Sequence, residues 1–170
     1  MPRCDSPTAR AAVSADDSFE PERVVEALNR AGVRYVIVGG LAAGAHGVVR
    51  ATRDLGLVPD PEPTNMDHLA QALIALGARH PVAERLTGAA LSRPVSMKLS
   101  TRVGEIHVLN RMPGRAPFAE LRADMLLVEI DAGIEAPVCS LHHLRQMKRA
   151  SDRPRDAVDL AELDELHGPG

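Results

Sequence analysis

The chain has 170 residues and a formal net charge of −3; 45% of its residues are apolar and 25% charged. This length suits one domain with a sizeable core, and this balance excludes a disordered or fibrous chain. A sequence pI of about 6.2 excludes a strongly basic duplex-binding domain. Phe19, Tyr35 and Phe118 are the only aromatic residues, too few for a base-stacking RNA platform.

Residues 1–18 read as a polar, disordered leader without the apolar segment of a secretory signal. No apolar run is long enough to span a membrane. Cys4 lies in the leader and Cys139 in the body, so they make neither a disulfide framework nor a metal knuckle. The expected setting is a reducing cytoplasm, with one domain over residues 19–166 and a short tail at 167–170. Lys98 and Lys148 are the only lysines among 20 basic residues. That bias fits either a coding preference or a supply of bidentate phosphate binders.

The first element is expected near Phe19. Pro21 suits an early helical position, Val24, Val25, Leu28 and Ala31 share one helical face, and Gly32 ends the helix. Tyr35 to Val38 is a short apolar run of the kind buried on both sheet faces, broken by Gly39-Gly40. Leu41 to Gly47 suits a short helix, and Leu55 to Val58 a second strand closed by Pro59-Asp60-Pro61. Thr64 is expected to cap the next helix, with Asp67 completing a capping box and Gly77 as the stop. Residues 80–93 read as irregular.

Val95 to Leu99 and Val103 to Leu109 form two further strands joined by a polar turn, and Met112-Pro113-Gly114 is a turn. Phe118 to Ala123 is a short helix. Met125 to Ile130 and Ile134 to Val138 make a hairpin around Asp131-Ala132-Gly133. Ser140 caps a last helical region over Leu141 to Ala150, which Pro154 interrupts and Asp156 to Leu166 continues. Interleaved helices with paired later strands predict an α/β domain with an α+β tendency, a mixed sheet flanked by helices.

One constellation is site-like. A buried strand runs into Gly39-Gly40 and then into a helix start, where glycines let a ligand approach the backbone and free N–H groups suit phosphate. The alternative is that the small residues only let the helix pack tightly on the sheet. Thirteen residues after Gly40 comes Arg53-Asp54-Leu55-Gly56-Leu57.

This strand–GG–helix unit followed by RATRD resembles the minimal nucleotidyltransferase superfamily, and in particular its AbiEii-like toxin branch. LSTRVGEIHVLNRMPG (99–114) is similar to the family's strand pair. SLHHLRQMKRASDRPRDAVDLAELDEL (140–166) is similar to its C-terminal helical region, so the resemblance spans roughly residues 22–166. It implies transfer of a nucleotidyl group from an NTP to a hydroxyl on RNA, such as tRNA, or on protein. A toxin role would bring an antitoxin protein as partner.

In that family two carboxylates at i and i+2 of a strand face the same way. With a third from a neighbouring strand they hold Mg²⁺, which clamps the triphosphate and activates the acceptor. Here the resemblance transfers only Asp54. Gly56 stands at the second carboxylate position and His107 at the third. Glu105 shares the strand face of His107, but two residues along a strand is about 6–7 Å. His107 reads either as a ligand for Zn²⁺ or Mn²⁺ with Asp54 and Glu105, or as an ordinary histidine in a decayed site.

The resemblance also implies that Lys148 and Asp156 face the nucleotide, Lys148 against triphosphate charge and Asp156 as orienting group or base. Their alternative is a helix-surface salt bridge around Pro154. Gly39, Gly40, Arg53 and Lys148 are the expected phosphate binders. Two functional classes remain: an NTP-dependent transferase impaired by the missing carboxylates, and a non-catalytic protein that binds nucleotide, RNA or protein.

Overall fold

A computed structural model describes residues 19–79, 86–110 and 115–170. Residues 1–18 with Cys4, residues 80–85 and the expected turn at 112–114 lie outside the described residues. The chain opens with α1 (Pro21–Arg30), β1 (Tyr35–Val38), α2 (Gly40–Ala45), β2 (Asp54–Pro59) and α3 (Pro63–Ala75). Then come α4 (Gly88–Leu91), β3 (Ser96–Thr101), β4 (Gly104–Leu109), α5 (Phe118–Ala123), β5 (Leu126–Asp131) and β6 (Ile134–Val138), and finally α6 (Leu141–Ser151) and α7 (Pro154–His167).

The strands form one six-stranded sheet in the order β3-β4-β2-β1-β6-β5. β2 with β4 and β1 with β6 are parallel pairs; the other three are antiparallel. This is the mixed, helix-flanked sheet that the sequence predicts. β1 and β2 are central and lie in the core, which is why both carry apolar residues on both faces. Edge strand β5 has room for Leu127 to stay exposed.

Alternation along β1 sorts the two faces. Tyr35 points to one side and donates its hydroxyl to Asn29 Oδ1 of α1 at 3.0 Å. Val38 points to the other, where it lines a cleft with residues of α6 and α7. Among the described residues no helix is long and apolar enough to cross a membrane.

Three local expectations are corrected. α3 is capped by Glu62, not Thr64: the Glu62 carboxylate accepts from the N–H groups of Thr64 and Asn65 at 3.1 and 3.0 Å, and Pro63 occupies the first turn. Asp67 closes no capping box with Thr64 there. It packs against Gly88, where a Cβ would overlap its carboxylate. The second correction is α4, a single turn inside the stretch read as irregular, capped by Thr87. Third, Pro154 begins α7 as well as interrupting the helical region, because proline is preorganised for a first helical turn. Asp152 makes the bend in the left-handed region at φ 46°.

Candidate nucleotide cleft

β1 runs into Gly39, the N-cap of α2, with φ 79° and ψ −136°, a conformation essentially closed to residues with a Cβ. Gly40 follows with a different constraint. A Cβ there would stand 2.7 Å from both Arg50 Nη2 and Thr52 Oγ1. The two glycines therefore bring backbone, an arginine and a threonine together at one end of the cleft.

The register places the rest. Asp54 of β2 pairs with Glu105 of β4, and Gly56 with His107, so all four positions belong to one sheet face. Asp54, Gly56 and His107 line the cleft beside Gly39 and Gly40. From the opposite wall come Lys148 and Ser151 of α6 and Arg153, Arg155 and Asp156 around the start of α7. Lys148 and Asp156 thus share the cleft with Asp54, as the resemblance implies.

Two expected residues are placed elsewhere. Arg53 is exposed and is not among the cleft residues. Arg50 takes its place, and Arg115, which precedes α5, joins it. Glu105 is also exposed and faces Lys98, Nζ to Oε2 at 3.7 Å. Sequence reasoning missed both: Arg50 opens the RATRD segment, where Arg53 beside Asp54 was chosen instead, and Arg115 lies just past the 99–114 segment, so tertiary packing delivers them.

Lys148 is not in a surface salt bridge. Its side chain is 4% exposed and lies between Asp156, 3.4 Å away, and Asp159, which also bonds Nζ; these carboxylates are 3% and 2% exposed. Asp159 in turn holds Arg50 at 3.2 Å, and Asp156 accepts from Arg153 at 2.8 Å and from Ser151. Asp159 therefore ties an arginine of the glycine end to the lysine of α6. It stands three residues after Asp156, one helical turn on the same face, and that spacing was the available signal.

Electrostatics follow from this network. Burial alone would raise the Asp156 pKa, but hydrogen bonds from Ser151 and Arg153 and the charges of Lys148 and Arg153 outweigh it and hold it at about 2. A depressed carboxylate contributes stability above its unfolded pKa, and that contribution is lost as pH falls through the folded value. The wild-type chain is therefore expected to lose roughly 2 kcal/mol between pH 4 and pH 2 from this group alone. Asp156→Asn should flatten that limb in urea titrations at stepped pH; an unchanged acid limb would contradict the assignment.

Arg115 shows the opposite imbalance. Burial first, then the charge of Arg153, lowers its pKa against the pull of Asp156. The cleft carries Arg50, Arg115, Lys148, Arg153 and Arg155 against Asp54 and Asp156, an excess of cation. Burial and the charge of Lys98 lower the His107 pKa against the attraction of Asp54, which favours the uncharged imidazole. Its Nε2 bonds Ser96 Oγ of β3.

The donor set does not fit a Mg²⁺ cage. Asp54 is a carboxylate, Gly56 offers no donor, His107 is engaged with Ser96, and Glu105 is turned to Lys98. A Cβ on Gly56 would stand 3.1 Å from the Val38 carbonyl oxygen. Among the described residues no three His, Cys, Asp or Glu side chains are grouped to hold a metal. Octahedral Mg²⁺ requires more oxygen than this.

A mixed sheet with a glycine turn at one strand end, a carboxylate on the next strand and a two-helix C-terminal wall defines the nucleotidyltransferase fold. Solved structures agree. The chain is similar to the lincosamide antibiotic adenylyltransferase LnuA, solved with lincomycin bound, at 16% identity over 89% of this chain and 99% of that one, with a TM-score of 0.60. ANT(2")-Ia, in complex with adenylyl-2"-tobramycin, matches at 15% identity over 86% of this chain and 84% of its own, with a TM-score of 0.55. An antigenic nucleotidyltransferase-like protein from Paracoccidioides brasiliensis matches at 17% identity over 88% and 77%, with a TM-score of 0.57. At these identities the likeness is one of fold. No family model and no curated protein matches the chain.

Proposed function

We propose that the cleft binds the phosphates of a nucleoside triphosphate, and that metal-dependent nucleotidyl transfer to a free acceptor is impaired in this chain. The observation that carries the reading is the cationic excess of the cleft beside a glycine turn. Arg115, half-buried and with no ion pair among the described residues, is the side chain that gains most from an incoming phosphate. Arg153 and Arg155 line the same cleft where α6 gives way to α7. Arginine suits this task because its planar fork pairs with phosphate oxygens two at a time.

Gly39 and Gly40 supply the close backbone approach, and Lys148 works from beneath. Its charge is shared with Asp156 and Asp159, so it fixes the α6–α7 wall more than it neutralises a ligand. The impaired half of the reading rests on the donor set, since Asp54 alone leaves substrate and water to supply nearly every oxygen of a Mg²⁺ shell. The AbiEii-like resemblance implies a toxin role, with tRNA or a protein as acceptor and an antitoxin as partner, and the missing carboxylates impair that transfer here. On the present reading, NTP with total tRNA and Mg²⁺ or Mn²⁺ is expected to give no transfer above background.

Binding is tested directly. A ligand at 100 times its Kd adds about 2.7 kcal/mol of stability, which raises Tm by about 5–10 °C in a chain of this size. At least one of the four common NTPs should do this, with or without divalent metal, and Arg115→Ala should shrink the shift. Stabilisation by none of the four would remove the binding role.

A further inference from the structure

We propose that Ser96, with His107 as its base, is a site of self-nucleotidylation at the rim of the cleft. The inference rests on the phosphate site above and adds an acceptor to it. Across the cleft face of the sheet the groups follow strand order: the Gly39 turn at β1, Asp54 on β2, His107 on β4 and Ser96 on β3. Ser96 pairs with Leu109, two residues from His107 on the same strand face, and this diagonal places its Oγ on His107 Nε2.

Strand spacing sets the reach. Neighbouring strands lie about 4.8 Å apart, so β1 and β3 are separated by roughly 14 Å. A triphosphate whose outer phosphates occupy the Gly39 turn and extend across β2 brings its α-phosphorus close to His107, about one strand spacing short of Ser96. Ser96 is exposed, so a ligand can reach it. His107 faces both the cleft and the serine. A hydroxyl hydrogen-bonded to an imidazole nitrogen is the arrangement that activates a weak nucleophile.

The step balances with the nucleoside triphosphate as the only co-reactant. Ser96 Oγ attacks the α-phosphorus and gives its proton to His107 Nε2. The Oγ–P bond forms, the bond from the α-phosphorus to the bridging oxygen of pyrophosphate breaks, and pyrophosphate leaves with the electron pair. Arg50 at the glycine end and Arg115 and Arg153 along the cleft are cations available to that leaving charge. The product is a serine phosphodiester carrying the nucleoside.

The test incubates the full chain with NTPs labelled at the α- or the γ-phosphate, with and without Mg²⁺, while calorimetry on the same samples reports binding. The expected result is α-label retained on the denatured chain, no γ-label, and one adduct of a nucleoside monophosphate less water on the peptide holding Ser96. Ser96→Ala should abolish the label, and His107→Asn should slow labelling by about 10²–10⁴-fold, the range for loss of a general base. Bound nucleotide with no label in the wild type would overturn the proposal and leave the phosphate site standing. Label that survives Ser96→Ala, or that comes from the γ-phosphate, would overturn it equally. No binding at all would overturn the phosphate site, and this step with it.

Discussion

Lys148→Met is expected to lower the unfolding free energy at pH 7 by about 3–5 kcal/mol, the cost of stripping one partner from a buried ion pair. Methionine keeps the length and apolar stem of the lysine, so the loss reports the charge. Asp156 and Asp159 would be left almost fully buried, with Arg153 and Arg50 as their remaining ion pairs among the described residues. Arg153 is half exposed, so solvent screens much of its help. Against a typical domain stability of 5–15 kcal/mol, this is a large fraction. Urea unfolding with an unchanged slope and a lowered midpoint is the readout. Adding Asp159→Asn should recover part of the loss, because it removes one of the two orphaned charges. A loss under about 1 kcal/mol would mean the group behaves as an exposed pair.

The second large effect is a gain. Wild-type chain is expected to bind Mg²⁺ too weakly for calorimetry to detect in the absence of nucleotide, because the metal shell would draw on Asp54 alone. The double change Gly56→Asp and His107→Asp places two carboxylates at i and i+2 of β2 and a third beside them on β4, which the parallel Gly56–His107 pairing guarantees. Measurable Mg²⁺ binding should follow. The change also has a structural cost: the new Cβ at position 56 meets the Val38 carbonyl at 3.1 Å, so the β1–β2 contact must give by a few tenths of an ångström. Three like charges on one face add to that cost until metal relieves them. The variant should therefore be less stable than wild type without metal and regain stability with it. Tight Mg²⁺ binding by the wild type, or none by the double variant, would refute this account of the donor set.

Most of the secondary structure was legible in the sequence because local signals agreed with the fold. Tyr35–Val38 and Phe118–Ala123 run to the residues expected. Ser140 caps α6 as predicted, accepting from the His143 N–H. The exceptions are local conflicts. Glu62, a less usual cap, displaced Thr64 because Pro63 fixed the first turn. α4 carries too little pattern in four residues to be seen.

The candidate site divides along a different line. Sequence by itself determined what lies on one strand or at one turn: Gly39, Gly40 and Asp54, with Gly56 and His107 as departures from the carboxylate pattern that the resemblance implies. It also put Lys148 and Asp156 in one C-terminal region. Only the tertiary structure decided which cations reach the cleft, exchanging Arg53 for Arg50 and adding Arg115, and turning Glu105 away toward Lys98. It alone set Ser96 against His107 and joined Lys148 to Asp159 and, through it, to Arg50. The physical reason is range. Strand alternation and turn geometry act over two or three residues and can be read along the chain. A long side chain, by contrast, is placed by whichever distant element packs against it.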